Sequence, residues 1–207
     1  MPTPGRRERN KARTRATLLA ALRDEARERG VGDLTVEAIT DQADVARRTF
    51  FNYFSSIDAA IAEAMAPTLD ELAEAFLAQP AEHDPLTAII DAITQAPIST
   101  ELLSWLVFDD VATNGMSPLH IQVWKHHETW LVGVLHERLG AAAEALAIAS
   151  LAATVMAVFD VTCRRWLTEV RDLDEAATKR FNTLLLAALR HVQDGWRATT
   201  SPTPDTR

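Results

Sequence analysis

Eight consecutive residues, Arg47-Arg48-Thr49-Phe50-Phe51-Asn52-Tyr53-Phe54, gather two guanidinium groups, an amide, two hydroxyls and four aromatic rings. On a helix, Phe50 and Phe54 are four apart and share an inward face. Arg47, Arg48, Phe51 and Asn52 then fall on the opposite face. Arginines and an amide exposed at the start of a helix suit base edges in a DNA major groove, where one arginine on guanine discriminates by about 1–3 kcal/mol. A solvated helix face would carry arginines too, so these residues need a scaffold that presents them.

The preceding residues supply one. Val36, Ile39 and Ala43 fall on one face of a short helix, with Thr35 where an N-cap belongs and Glu37 adding negative charge to the first turn. Ala43-Asp44-Val45 breaks the pattern, and Ala46 to Phe54 forms the second helix. Helix, three-residue turn and arginine-bearing helix read as a helix-turn-helix. Helical hairpins also occur in ordinary bundles.

Charge separates these options. The chain carries a formal charge of -8 over 207 residues. Its first 15 residues nevertheless hold Arg6, Arg7, Arg9, Lys11, Arg13 and Arg15 against Glu8 alone. A basic end on an acidic body favours phosphate contact at one end and repels it elsewhere. These residues lead into a helix reaching about Arg29 and ended by Gly30, with a stripe of Ala12, Ala16, Leu19, Leu22 and Ala26 expected to pack on Val36, Ile39 and Phe50. Residues 1–5 are expected to be disordered.

Ser56 and Asp58 open a fourth helix, with Ile57, Ile61, Met65, Leu69, Leu72 and Phe76 as its apolar stripe. Pro67 is expected to kink or interrupt it near Glu63 to Ala66. Asp84-Pro85 starts the next helix, ahead of Leu86, Ile89, Ile90 and Ile93, and Pro97 ends it. A helix capped by Ser99 should run to about Thr113, stopped by Asn114-Gly115. Ser117-Pro118 starts another, ending at Gly140. Residues 141–169 and 174–196 read as the last two helices, the latter capped by Asp174, and 199–207 as a loose tail. The fold class is all-α with about nine helices and no strand. No run of 18 apolar residues is free of charged or polar breaks, so no membrane span is expected. The lone Cys163 excludes an internal disulfide and fits a reducing cytoplasm.

The run RRTFFNYF followed by SSIDAAI resembles the TetR family of bacterial transcriptional regulators, and with the basic first helix and all-helical remainder the resemblance spans the chain. Two positions depart from the family's pattern: Asp44 stands where glycine is usual, and Ile57 where lysine is. The resemblance implies a helix-turn-helix domain at 1–55 with a basic arm, a ligand-binding and dimerisation domain at 56–198, and a tail. It implies phosphate contacts from Thr35, Thr49 and Tyr53; Arg47 and Arg48, which open the recognition helix, are the expected base readers, with Phe51 and Asn52 as further DNA-binding residues on the same face. A ligand cavity is implied in the body, with Trp105, Phe108, Trp124, His127, Phe159, Cys163 and Trp166 as its candidate lining. The same aromatics, with Trp130, Met116 and Met156, would equally make an ordinary core. His120, His126, His127 and Arg164 could anchor a polar group of the ligand. A homodimer through 141–169 and 174–196 is implied, bringing two recognition helices to a two-fold operator.

Catalysis is the competing class. The sequence has no glycine-rich phosphate loop, no G-x-S-x-G elbow and no paired His/Cys constellation, so no enzyme activity, cofactor or metal is expected. A dimeric protein-binding scaffold, or a small-molecule binder without a DNA role, is the remaining alternative. The partners expected are double-stranded operator DNA and a small effector, with the protein in the cytoplasm.

Overall fold

Alanine and leucine abundance, helix starts at Thr35, Ser56, Asp84, Ser99 and Asp174, and scarce glycine leave the chain few options but helix. The computed structural model describes residues 5–107, 118–170 and 172–195, and these contain nine α-helices and no strand. They are α1 (Arg6–Arg29), α2 (Val36–Gln42), α3 (Arg47–Phe51), α4 (Ile57–Leu77), α5 (Pro85–Gln95), α6 (Thr100–Val107), α7 (Pro118–Leu139), α8 (Ala145–Leu167) and α9 (Glu175–Gln193). A 3-10 turn, Val31–Asp33, links α1 to α2.

Each start has a physical cause. Thr35 accepts from the Ala38 amide at 3.2 Å, Asp84 from Leu86 and Thr87, and Asp174 from Ala177 at 2.7 Å. Such caps satisfy amides that lack a helical partner, at about 1 kcal/mol each. The Thr87 hydroxyl and amide hold the Asp84 carboxyl below its ordinary value. Gly30, at φ 85, closes α1 in a conformation that side chains resist.

The basic residues expected as an arm lie within α1 itself, which begins at Arg6. Its buried stripe is Leu18, Ala21, Leu22, Glu25 and Ala26, with Leu19 only half-buried and Ala12 and Ala16 exposed. The expected stripe was thus displaced around the helix. Ala12 and Ala16 lie in its exposed N-terminal half, and α2 and α4 cover only the later turns.

Leu22, Ile39, Phe50 and Ile61 are fully buried and join α1, α2, α3 and α4 in one core, each worth roughly 1.5–3 kcal/mol of burial. The same apolar core continues into the body. There α4 packs on α5 and α7, α8 on α7 and α9, and α9 on α5. The α4 helix runs through Pro67 without interruption, contrary to one of the two expected outcomes. Its flanks are held by α5 and α7, and Arg23 of α1 donates to the Ala64 carbonyl at 3.0 Å, just ahead of the proline. Its C-terminal end is pinned by Arg138 of α7. That guanidinium donates to the Phe76, Gln79 and Pro80 carbonyls at 3.1, 3.0 and 2.7 Å and lies 5.0 Å over the Phe76 ring.

The last two helices are shorter than expected. Gly140, at φ 75, and a following turn delay α8 to Ala145, and α9 ends at Gln193. By length and composition α8 could cross a membrane. Its inner side, with Ile148, Ala152, Thr162, Cys163 and Trp166, is packed in the core, while Leu146 and Val161 stand exposed on the other. Asn182 clamps α9 to the α5–α6 link, accepting from the Ile98 amide at 2.8 Å and donating to its carbonyl at 2.9 Å. The expected stop at Asn114-Gly115, the Ser117 cap and the 199–207 tail lie outside the described residues, as do residues 1–4 of the expected disordered N-terminus.

Candidate nucleic-acid interface and an apolar cavity

The recognition segment is positioned by two aromatic anchors and one strained residue. Phe50 and Phe54, 0% and 4% exposed, pack ring to ring at 5.4 Å and turn the opposite face of α3 outward. Asp44 takes φ 52 in the turn, the left-handed conformation that Asp and Asn tolerate better than most residues. The Val45 amide bonds the Thr40 carbonyl at 3.0 Å, and this fixes α3 against α2.

The two arginines are not equivalent. Arg47 pairs with Glu37 of α2 and lies 5.7 Å over the Phe51 ring, so its fork is already engaged. Arg48 is exposed and has no ion pair among the described residues. Phe51 is 47% exposed, a large ring held in solvent beside these cations. Asn52 is exposed at the end of α3, while Thr49 and Tyr53 are half-buried, Tyr53 packing against the core. The exposed Thr35 hydroxyl accepts its cap bond and keeps its own proton to donate.

Arg6, Arg7, Arg9, Lys11 and Arg13 stand exposed on the first turns of α1. Positive charge there opposes the helix dipole, with Glu8 as the acidic residue of the first turn, so a bound anion would be favoured at this end. Arg15 is committed elsewhere. It makes a two-pronged pair with Glu63 of α4 and lies 5.2 Å over Phe54, tying α1, α3 and α4 together. Sequence reasoning missed both the Arg15–Glu63 and Arg47–Glu37 pairs, because each joins separate helices.

A second site lies in the body. A cavity of about 190 Å³ is lined by α4, α5, α6, α7, α8 and α9, with Val31 of the 3-10 turn at its edge. Of the candidate lining residues, Trp105, Trp124, His127, Phe159 and Cys163 reach its wall. Phe108 and Met116 lie outside the described residues, as does the side chain of His120. Trp166 does not reach the wall. It is fully buried, donates its indole N–H to the Ala177 carbonyl at 2.8 Å, and packs edge-on to Phe181 at 5.4 Å. Phe181 in turn meets Phe159 at 5.4 Å, so the α9 aromatic stands between Trp166 and the cavity aromatics. Trp166 is a clamp between α8 and α9.

The α4 stripe read as packing surface, including Ile61, Met65, Leu69 and Phe76, also forms cavity wall. No spacing distinguishes a helix face against a void from one against a core. Burial pulls the His127 pKa down to about 4, with His126 adding to the effect. Burial pushes the Cys163 thiol well up, so it stays protonated and unreactive. Among the described residues no group of three or more His, Cys, Asp or Glu side chains could hold a metal ion.

Taken together, a capped short helix, a left-handed turn and an arginine-bearing second helix on an all-helical body define a helix-turn-helix protein. Residues 18–64, which span α2, α3 and the turn, match the family model for bacterial regulatory proteins, tetR family. The matched segment is thus similar to the helix-turn-helix DNA-binding domain of tetR-family transcriptional regulators. The whole fold is similar to the crystal structure of a tetR-family transcriptional regulator from Streptomyces coelicolor. Identity is 14%, with 89% of this chain and 83% of that chain covered at a TM-score of 0.51. A transcriptional regulator from Rhodococcus sp. Rha1 aligns over 87% of this chain and 96% of its own at 20% identity and a TM-score of 0.44. No curated protein matches the sequence.

Proposed function

We propose that the chain is a homodimeric, cytoplasmic repressor. It binds a palindromic operator through α3 and releases it when a small apolar or amphipathic effector fills the body cavity. One observation carries this reading: α4 serves both sites. Its side chains Ile61, Met65, Leu69 and Phe76 line the cavity, while Glu63 on the same helix grips Arg15 beside the recognition segment. Residues 1–55 act as the DNA-reading domain and 56–198 as the sensing and dimerising one, with α4 the lever between them.

Arg48 reads a base, Phe51 and Asn52 contribute at the same groove, and Thr35, Thr49 and Tyr53 position the phosphates. Arg47 is held by Glu37 and Phe51 and sets the approach of α3. Dimerisation uses α8 and α9. Leu146, Ala149, Ala153, Ala157 and Val161 are exposed along one side of α8, at steps of three and four residues. Such an apolar strip, long enough for a membrane in isolation, is covered in a dimer. A two-fold dimer reads two half-sites only if its recognition helices lie about 34–36 Å apart, or a multiple of that. An effector that binds the non-matching spacing more tightly shifts the population off DNA.

Operator selection from random duplexes should return an inverted repeat whose affinity falls steeply with salt. Binding to no duplex in any salt would favour the protein-binding scaffold instead. By linkage, an effector that releases the operator must bind more weakly when operator is present, by the same factor that it weakens DNA binding. Equal effector affinity with and without operator would leave the body as a dimerisation core without a sensor.

A further inference from the structure

Apart from the indole N–H groups of its tryptophans, the described cavity wall is apolar but for a few groups on α7 and α8: His127, Cys163, Asp160 and Arg164. Their states are unequal. Arg164 bonds the Asp160 carboxylate through both Nε and Nη2, so each charge there is already answered. The Cys163 thiol is neutral and a weak donor. His127 differs: its Nε2 is sealed from solvent and has no hydrogen-bond partner among the described residues. A buried polar atom left unpaired is costly and is rare in a finished structure. A water needs two to four polar partners to settle beside it, and this wall offers few.

We infer that the cavity takes a neutral molecule about one ring in size that carries a single hydroxyl or carbonyl, and that this polar group bonds His127 Nε2. The inference rests on the ligand-binding reading above and gives the ligand its chemical class. Size comes from the volume: about 190 Å³ exceeds, by a modest margin, the ~150 Å³ cavity that holds a benzene. Neutrality follows from the charges. An anion would have to shed its water in an apolar chamber where, among the described lining residues, the one cation, Arg164, is already paired with Asp160. It would also find His127 uncharged, since burial keeps that ring neutral down to about pH 4. A cation would face the protonated thiol and the neutral ring, with the Asp160 carboxylate engaged. The neutral imidazole, by contrast, meets a hydroxyl in either tautomer, and a carbonyl when Nε2 carries the proton.

Three near-isosteric probes test this with the full chain at pH 7: 2-phenylethanol, n-propylbenzene and phenylacetate. Binding is followed by tryptophan fluorescence, because Trp105, Trp124 and Trp130 line the wall. The expected order is 2-phenylethanol roughly tenfold tighter than n-propylbenzene, the size of one net hydrogen bond, with phenylacetate weakest. In His127→Leu the tenfold gap should close while hydrocarbon binding persists. Should that variant fail to fold, the imidazole nitrogen NMR shifts of His127 in the unaltered protein serve. Nε2 should move with 2-phenylethanol and stay put with n-propylbenzene. Equal binding of alcohol and hydrocarbon, or an Nε2 signal that moves with neither, overturns the hydrogen bond. Tightest binding by phenylacetate overturns neutrality. Binding by none of the three, with fluorescence and NMR both silent, overturns the ligand cavity itself and with it the sensing part of the proposed function.

Discussion

The DNA-reading unit and the cavity are built by different routes. The recognition segment is nearly all local: Thr35, Glu37, Asp44, Arg47, Arg48 and Phe50 lie within 16 residues and hold one another through caps, a turn and an ion pair. The cavity draws its wall from six helices and the 3-10 turn, spread from Val31 to Leu189, with its titratable groups lying on two separate helices. A local device is stable in its own geometry and carries its chemistry on the surface. A cavity assembled from distant helices exists only while all of them stay packed, which makes its shape responsive to what fills it.

The sharpest way to break this contrast is at Phe50, the fully buried anchor of α3. Phe50→Ala should cost about 3–5 kcal/mol in denaturant unfolding and abolish operator binding. Should the mutant remain folded, tryptophan titration should still report a cavity in the body. Retained operator binding would show that the segment does not depend on its anchor.

His127 probes the other region through acid. Its folded pKa, near 4, lies below the ordinary 6.5, so the unfolded chain takes up a proton that the folded chain refuses. Stability from this group is present above pH 6.5 and is lost as pH falls from 6.5 to 4. At about 1.4 kcal/mol per pH unit the loss approaches ~3 kcal/mol, and His127→Leu should remove that slope from a pH series of unfolding curves. An unchanged slope would mean that the ring is protonated in the folded state.

Arg48 and Arg47 divide the recognition face. Arg48→Ala should weaken specific operator binding by about 1–3 kcal/mol and relax preference at one position per half-site. Arg47→Ala should lose less, and should lose specific and non-specific binding alike, because its fork already serves Glu37. The reverse order in a gel-shift series would exchange their roles.

The smallest effect belongs to the turn. Asp44→Ala should destabilise by about 1 kcal/mol, because alanine resists φ 52 more than aspartate does, and Asp44→Gly should be close to neutral. Equal melting temperatures for the alanine and glycine variants would mean that the turn carries no such strain.

Helix starts, the turn at Asp44 and the outward side of α3 were legible because each is decided within a few residues: a side-chain oxygen reaches the amide three residues on, and 3.6 residues per turn divide Phe50 from Arg48. Period alone misplaced the α1 stripe, because which turns are covered depends on where α2 and α4 happen to lie. It could not tell Trp105, on the cavity wall, from Trp166, sealed behind Phe181, since both are tryptophans on apolar helix faces. Nor could it show that Arg15 spends its charge on Glu63, 48 residues away, or that Arg138 ties down the end of α4. The sequence by itself determined the helices, their caps and the exposed chemistry of the recognition segment, for those follow from short-range hydrogen bonds and side-chain period. Only the tertiary structure decided which cations are free and which apolar faces surround a void, because pairing and enclosure depend on distances between helices that no local rule contains.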